Sequence, residues 1–178
     1  MKEKFITAGI LTLSLFSFGG GGEIPSTIKV SSNAFDNGEF IPEIYTCDGK
    51  DISPDLKWSN FPSETKSFVI IMDDPDAPVG TFTHWVVYDI PESITSFPEN
   101  FPKVPEVDGI KQGITDFRRI GYGGPCPPPG KPHRYFIKVF ALDIPSLNLP
   151  AGASRHQVES KMSGHILSKG HLMGLYGR

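Results

Sequence analysis

Four stretches of this chain carry the apolar patterning of strands. Thr27-Ile28-Lys29-Val30-Ser31 alternates polar and apolar side chains, as a half-buried strand does. Phe68-Val69-Ile70-Ile71-Met72 is an unbroken apolar run between Lys66 and a cluster of Asp and Pro, which predicts a central strand. His84-Trp85-Val86-Val87-Tyr88-Asp89-Ile90 stops at Pro91, and the run from Tyr135 to Leu142 begins just after a proline-rich loop. Both are rich in β-branched and aromatic residues. The intervening segments are too short, or too full of Pro and Gly, to hold crossover helices, so the sheet is expected to be mainly antiparallel.

One helix is predicted near the C-terminus. Ser154 with Gln157 forms a capping box, and Val158, Met162 and Ile166 repeat at four-residue spacing, giving a stripe that covers a sheet face. Gly164 falls inside that pattern and costs about 1 kcal/mol relative to Ala, so the helix depends on packing. Pro91-Glu92-Ser93 reads as a turn, Phe97 to Pro105 as irregular surface loop, and Asp108 to Arg119 as a long excursion. There are no internal repeats and no domain linker.

Composition agrees with a turn-rich β protein: 19 Gly and 17 Pro in 178 residues are many for a helical chain and too few for a disordered one. A chain of this size can bury a core without metal or disulfide staples. With a formal charge of −3 and its 17 Lys and Arg scattered, it presents no basic field, which argues against nucleic acid as a partner.

Lys2 and Lys4 precede an apolar run from Phe5 to Phe18 and then Gly19 to Gly22, the three regions of a secretory signal. The run is shorter than the roughly 20 residues that a membrane span needs. Residues 1–22 are therefore expected to be a signal peptide and 23–178 the mature domain, periplasmic or secreted. No Cys follows the run, so a lipoprotein is not indicated. Cys47 and Cys126 are the only cysteines, both in turn-like settings, and an exported pair is a natural disulfide candidate. Two separate buried thiols are the other reading.

Candidate chemistry gathers at the ends of the strands. Asp74 and Asp76 flank Pro75 ahead of Ala77-Pro78, so this backbone is turned or extended; the carboxylates either cap local amides or face a ligand. Adjoining Asp-Pro and Ala-Pro units at a tight rim suggest a cis Ala77-Pro78 bond. His84 alone would be an ordinary strand histidine. With His133 and Tyr135 entering another strand, it makes a cradle of two imidazoles and a phenol able to donate to an anion. Pro125, Pro127, Pro128, Pro129 and Pro132 around Cys126 form a rigid wall rather than a polyproline ligand for a partner domain. Trp85 is expected in the core, and Tyr122 and Tyr176 are further aromatic candidates near the pocket.

Three blocks, Asp73-Asp74-Pro75-Asp76-Ala77-Pro78, Thr83-His84-Trp85-Val86-Val87, and Gly124-Pro125-Cys126-Pro127-Pro128 running into His133-Arg134-Tyr135, closely resemble the phosphatidylethanolamine-binding protein family in its bacterial Raf-kinase-inhibitor-like branch. The resemblance runs from about Ile28 to Arg178. It implies a mainly β fold, an antiparallel β-sandwich of a large sheet against a smaller one with flanking helices. It also implies a small pocket for phosphate-bearing headgroups, with Asp74, His84, His133 and Tyr135 at the anion, Gly124 turning its backbone N–H toward it, and Pro78 and Pro128 as walls.

The function expected is non-catalytic binding of a small phosphorylated or anionic ligand, such as a phospholipid headgroup, with no cofactor. Inhibition of kinases or proteases, known among relatives, is not carried over. Modulation of a partner protein, itself not identified by these residues, and a homodimer both stay open. The rival is a metal-dependent enzyme using Asp74, His84 and His133, which have the ligand types of a two-histidine, one-carboxylate site without its usual spacing. A Cys126–His133 nucleophile pair is weaker, because no helix N-terminus is there to activate the thiol.

Overall fold

The computed structural model describes residues 23–178; the predicted leader, residues 1–22, lies outside them. In chain order the strands are β1 (Lys29–Ser31), β2 (Leu56–Ser59), β3 (Ser67–Asp74), β4 (Phe82–Pro91), β5 (Ser96–Phe97), β6 (Glu106–Val107), β7 (Ile110–Gln112), β8 (His133–Leu142) and β9 (Ile166–Tyr176), with helix α1 (Arg155–Met162) between the last two. They form a three-stranded sheet, β1-β2-β5, and a six-stranded sheet, β6-β7-β4-β3-β8-β9. Every strand pairing is antiparallel, as the short Pro- and Gly-rich connections require.

The continuous apolar run of β3 is explained by its place. All eight of its residues are buried. Successive side chains point to opposite faces. Phe68, Ile70 and Met72 enter the core between the two sheets, where Trp58 of β2 meets Phe68 edge to face at 5.7 Å, while Val69 and Ile71 enter a second core with Val158 and Met162 of α1. A strand covered on both sides has no use for alternation. Full burial of side chains of this size contributes roughly 1.5–3 kcal/mol each, and both cores depend on β3.

Three expectations need correction. The helix ends at Met162: Ser163 is its C-cap, Gly164 takes a left-handed φ of +83° beyond it, and Ile166 opens β9. The capping box is present, with Ser154 Oγ accepting from the Gln157 amide and Gln157 Oε1 accepting from the Ser154 amide. The four-residue repeat misled because Ile166 packs on the same core as Val158 and Met162 from the neighbouring element. The stretch from Phe97 to Pro105 is no mere surface loop. Phe97 pairs with Leu56, and Phe97 and Phe101 stack at 4.2 Å inside the inter-sheet core.

The excursion from Asp108 to Arg119 contributes β7, which pairs with β4 on one side and the edge strand β6 on the other. Asp73, whose role the sequence leaves open, is fully buried, and its Oδ2 lies 2.7 Å from Lys138 Nζ and 3.1 Å from Arg155 Nη1. It ties β3 to β8 and α1 on the helix face, away from Asp74.

Candidate functional site

A cavity of about 260 Å³ lies at the end of the large sheet where β3 stops and β4 and β8 start. Asp74 is the last residue of β3 and is 3% exposed. Its Oδ1 accepts the Asp76 amide at 2.8 Å, an Asx turn that folds the chain back after Pro75. The turn closes further on, where the Gly80 amide reaches Ala77 O at 3.1 Å with Gly80 at φ +102°. These two devices supply the reversal, and the peptide bonds of the described residues are all trans, so the cis Ala77-Pro78 expectation fails. Asp76 turns away to Arg134, whose amide and Nε donate to Oδ2 at 2.9 Å and whose Nη2 donates to Oδ1 at 2.7 Å. The guanidinium holds the Asp76 carboxyl down to about 2.

His84 reaches the cavity because β4 is irregular there. Met72 pairs with Trp85 and Asp73 with Thr83, leaving His84 as an extra residue opposite no partner. Such a bulge re-aims a side chain. Trp85 packs in the inter-sheet core, and a regular strand would send its neighbour to the helix face. Instead the His84 ring lies 5.2 Å from Tyr135, itself a member of that core, and 5.1 Å from Phe82.

The ring's Nδ1 is 2.8 Å from Gly123 O. A carbonyl can only accept, so Nδ1 carries the hydrogen and Nε2 of the neutral ring is an acceptor. Burial lowers the pKa of this imidazole from its ordinary 6.5, outweighing the Gly123 carbonyl and the carboxylates of Asp74 and Asp116, which act upward.

A stability change follows from the sign of that shift. A histidine whose folded pKa lies below its unfolded value near 6.5 is more readily protonated when unfolded, so its contribution is complete above pH 6.5 and falls as pH drops below it. Melting at about pH 7.5 and about pH 5.5 should show a larger drop for the natural protein than for His84→Gln, whose side chain does not titrate in this range. Equal drops would refute the assignment.

From β8 come His133, whose Nδ1 is 2.7 Å from Asp74 Oδ2, and Tyr135. The Tyr135 hydroxyl is buried, and although the Asp74 carboxylate and the Cys126 backbone stand beside it, neither meets it in hydrogen-bonding geometry. Burial and the adjacent Asp74 carboxylate hold its pKa well above the ordinary tyrosine range. The opposite wall is Cys126, Pro127 and Pro128, and the rim carries Pro78, Val79, Phe82 and Phe117. Cys126 is bonded to Cys47, with 5.4 Å between their Cα atoms. The C-terminal Arg178 adds an Nε–H bond to Pro127 O at 2.8 Å.

Of the seven binding residues read from the sequence, Asp74, Pro78, His84, Pro128, His133 and Tyr135 line this cavity. Gly124 does not. Its N–H donates to Asp51 Oδ1 at 2.6 Å, so it is not turned to a ligand, and Asp51 also pairs with Arg119 at 2.6 Å and Lys103 at 3.0 Å. Tyr122 is buried and donates to Tyr45 O at 2.8 Å, and Tyr176 donates to Asp48 Oδ2 at 2.7 Å; neither lines the cavity. Trp85 is in the core, its Nε1 donating to Gln112 at 2.8 Å.

Sequence reasoning missed Phe82 and Phe117, the aromatic rim, and Asp51, which braces the wall from a distant loop. The metalloenzyme alternative has no site among the described residues, where no three of His, Cys, Asp and Glu are arranged to hold an ion. Asp74 and His133 are spent on each other and on local amides. Cys126, being in a disulfide, offers no thiol to pair with His133.

A large antiparallel sheet packed on a small one, with one compact imidazole, carboxylate and phenol pocket at its strand ends, defines a small-ligand pocket protein built on a β-sandwich. Residues 31–177 match the family model described as phosphatidylethanolamine-binding protein, and the chain belongs to that family. It is 62% identical to a UPF0098 protein of Aquifex aeolicus over 170 residues, covering 95% of this chain and 96% of that one. Identity to a UPF0098 protein of Pyrococcus horikoshii is 53%, over 100% of this chain and 91% of the relative. Among solved structures, E. coli YbcL, described as a member of the mammalian PEBP family, superposes with a TM-score of 0.80 at 32% identity, over 86% of this chain and 99% of that one. A Chlamydia trachomatis homologue of the family gives 0.78 at 35%, over the same shares.

Proposed function

We propose that this is a non-catalytic binding protein for a small phosphate-bearing anion, free or as a lipid headgroup, exported to an oxidising compartment. The observation that carries the reading is the Tyr135 hydroxyl, buried without a partner beside two imidazoles. A buried polar group left unpaired costs about 1–3 kcal/mol, a cost that a ligand oxygen would remove. Export rests on the leader pattern and on the Cys47–Cys126 bridge.

The same hydroxyl supplies the test. Tyr135→Phe removes an unpaired group from the empty protein and a donor from the complex. The variant should be as stable as the natural protein or more so, by about 1 kcal/mol, while binding inorganic phosphate or phosphorylethanolamine about tenfold more weakly. Thermal melts and calorimetry read the two effects separately. Unchanged affinity in Tyr135→Phe and in His133→Ala would end the assignment.

A further inference from the structure

The cavity asks for two opposite things of a ligand oxygen. Tyr135 brings a hydroxyl that lacks an acceptor. His84 brings the reverse: its Nδ1 hydrogen is held by Gly123 O, so the neutral ring that lines the cavity keeps its lone pair on Nε2. A fully deprotonated phosphate satisfies Tyr135 and sets oxygen lone pairs against the Nε2 lone pair. A phosphate with one P–OH satisfies both.

We infer that the pocket selects oxyacid ligands that retain a free acidic hydroxyl, phosphate monoesters in their monoanionic form, and discriminates against phosphodiesters such as the linkage within an intact phospholipid headgroup. This deepens the anion reading above and rests on it. The hydrogen between ligand and Nε2 has two sources. Below the second pKa of the phosphate, near 6, the ligand brings it. Above that pKa the dianion binds together with one proton taken from the buffer. A diester has no such hydrogen to bring.

The groups facing the His84 ring come from three directions: Asp74 at the end of β3, Tyr135 on β8, and the Asp116 loop with Phe117. The two carboxylates favour a protonated ring, whereas its burial at 3% exposure among Phe82, Phe117 and Tyr135 opposes it. The rim tells what the ester carries. Pro78, Val79, Phe82 and Phe117 are apolar, and Val79 is 90% exposed. An apolar or aromatic substituent leaving the phosphate would lie across them.

Two probes with one aromatic group separate the possibilities: phenyl phosphate, a monoester, and methyl phenyl phosphate, its diester. Calorimetry from about pH 5.5 to about pH 8, in buffers of different ionisation enthalpy, reads affinity and proton uptake together. For phenyl phosphate the expected result is an affinity that falls about tenfold per pH unit above the phosphate pKa near 6, with close to one proton taken up per ligand. The diester should bind about tenfold more weakly or worse at pH 6, because an acceptor opposite Nε2 is left unpaired.

His84→Gln can turn either an oxygen or an NH₂ to the ligand, so it should bring the two probes within about threefold of each other. Diester binding as tight as monoester binding, or pH-independent monoester binding, overturns this inference and leaves the anion site standing. Failure of both probes and of inorganic phosphate overturns the site itself.

Discussion

Reduction of the Cys47–Cys126 bridge should lower the thermal midpoint by about 10 °C. The two cysteines are 79 positions apart, and in the chain-entropy model opening a loop of that length removes about 4 kcal/mol of stabilisation. A chain of this size loses roughly 2–4 °C per kcal/mol. Melts of the oxidised protein, the reduced protein and the Cys47→Ser, Cys126→Ser double variant measure it. Intact mass after alkylation under non-reducing conditions checks the bond, and two alkylated cysteines in exported protein would reject it.

The loss should reach the pocket as well. Cys126 lines the cavity, and the Cys47 amide donates to Pro125 O at 3.1 Å. The bridge therefore anchors the proline wall to the loop after Ile41. Affinity for phosphate should fall with reduction even at temperatures where the fold persists.

Gly124→Ala should destabilise the protein by roughly 1–3 kcal/mol, the range for forcing extra volume into a packed site, and should weaken ligand binding beyond that. A Cβ at Gly124 would sit 2.4 Å from Tyr45 O and 2.8 Å from Thr46 Cα, both backbone atoms that cannot rotate aside. Relief requires moving the segment that holds Gly123 O against His84. Gly124→Ala should therefore alter His84 as well as stability, visible in the imidazole resonances on titration. Asp51→Ala, which removes the acceptor of the Gly124 amide without adding volume, should show the same change at His84 with a smaller fall in melting temperature. If Gly124→Ala binds and melts as the natural protein does, the packing account is wrong.

These two positions mark the reach of the sequence. The strands with continuous or β-branched apolar runs were legible because burial leaves few other residue choices, on both faces of β3 and β4 and on one face of β8. The final strand was not. It carries Gly170 and Gly174, which read as breaks, yet a Cβ at Gly170 would lie 2.0 Å from Ile28 O and one at Gly174 would lie 2.5 Å from Ile41. Those glycines record the close passage of other chain segments, a long-range fact that no local pattern contains.

The site was legible for a different reason. Its polar residues sit at strand starts and ends, where polarity interrupts an apolar run, and their motifs resembled a known family. Gly124 shows the limit of that reasoning, since its position matched while its N–H serves Asp51 rather than a ligand. Phe82 and Phe117 left no signal, because an aromatic residue beside a strand looks the same whether it packs inward or lines a rim.

The extra residue in β4 has a consequence for anyone moving this pocket into another scaffold. A strand is a two-step ratchet, and His84 is a tooth out of phase: residues before it and after it read with opposite parity. Copying the pocket side chains onto an unbulged strand would deliver every identity and point the imidazole at the wrong side of the sheet. Removing the one residue between Thr83 and Trp85 would likewise restore alternation at that point of the strand and empty the pocket of its acceptor. The transferable unit is therefore the slip in register, and the histidine is only its passenger.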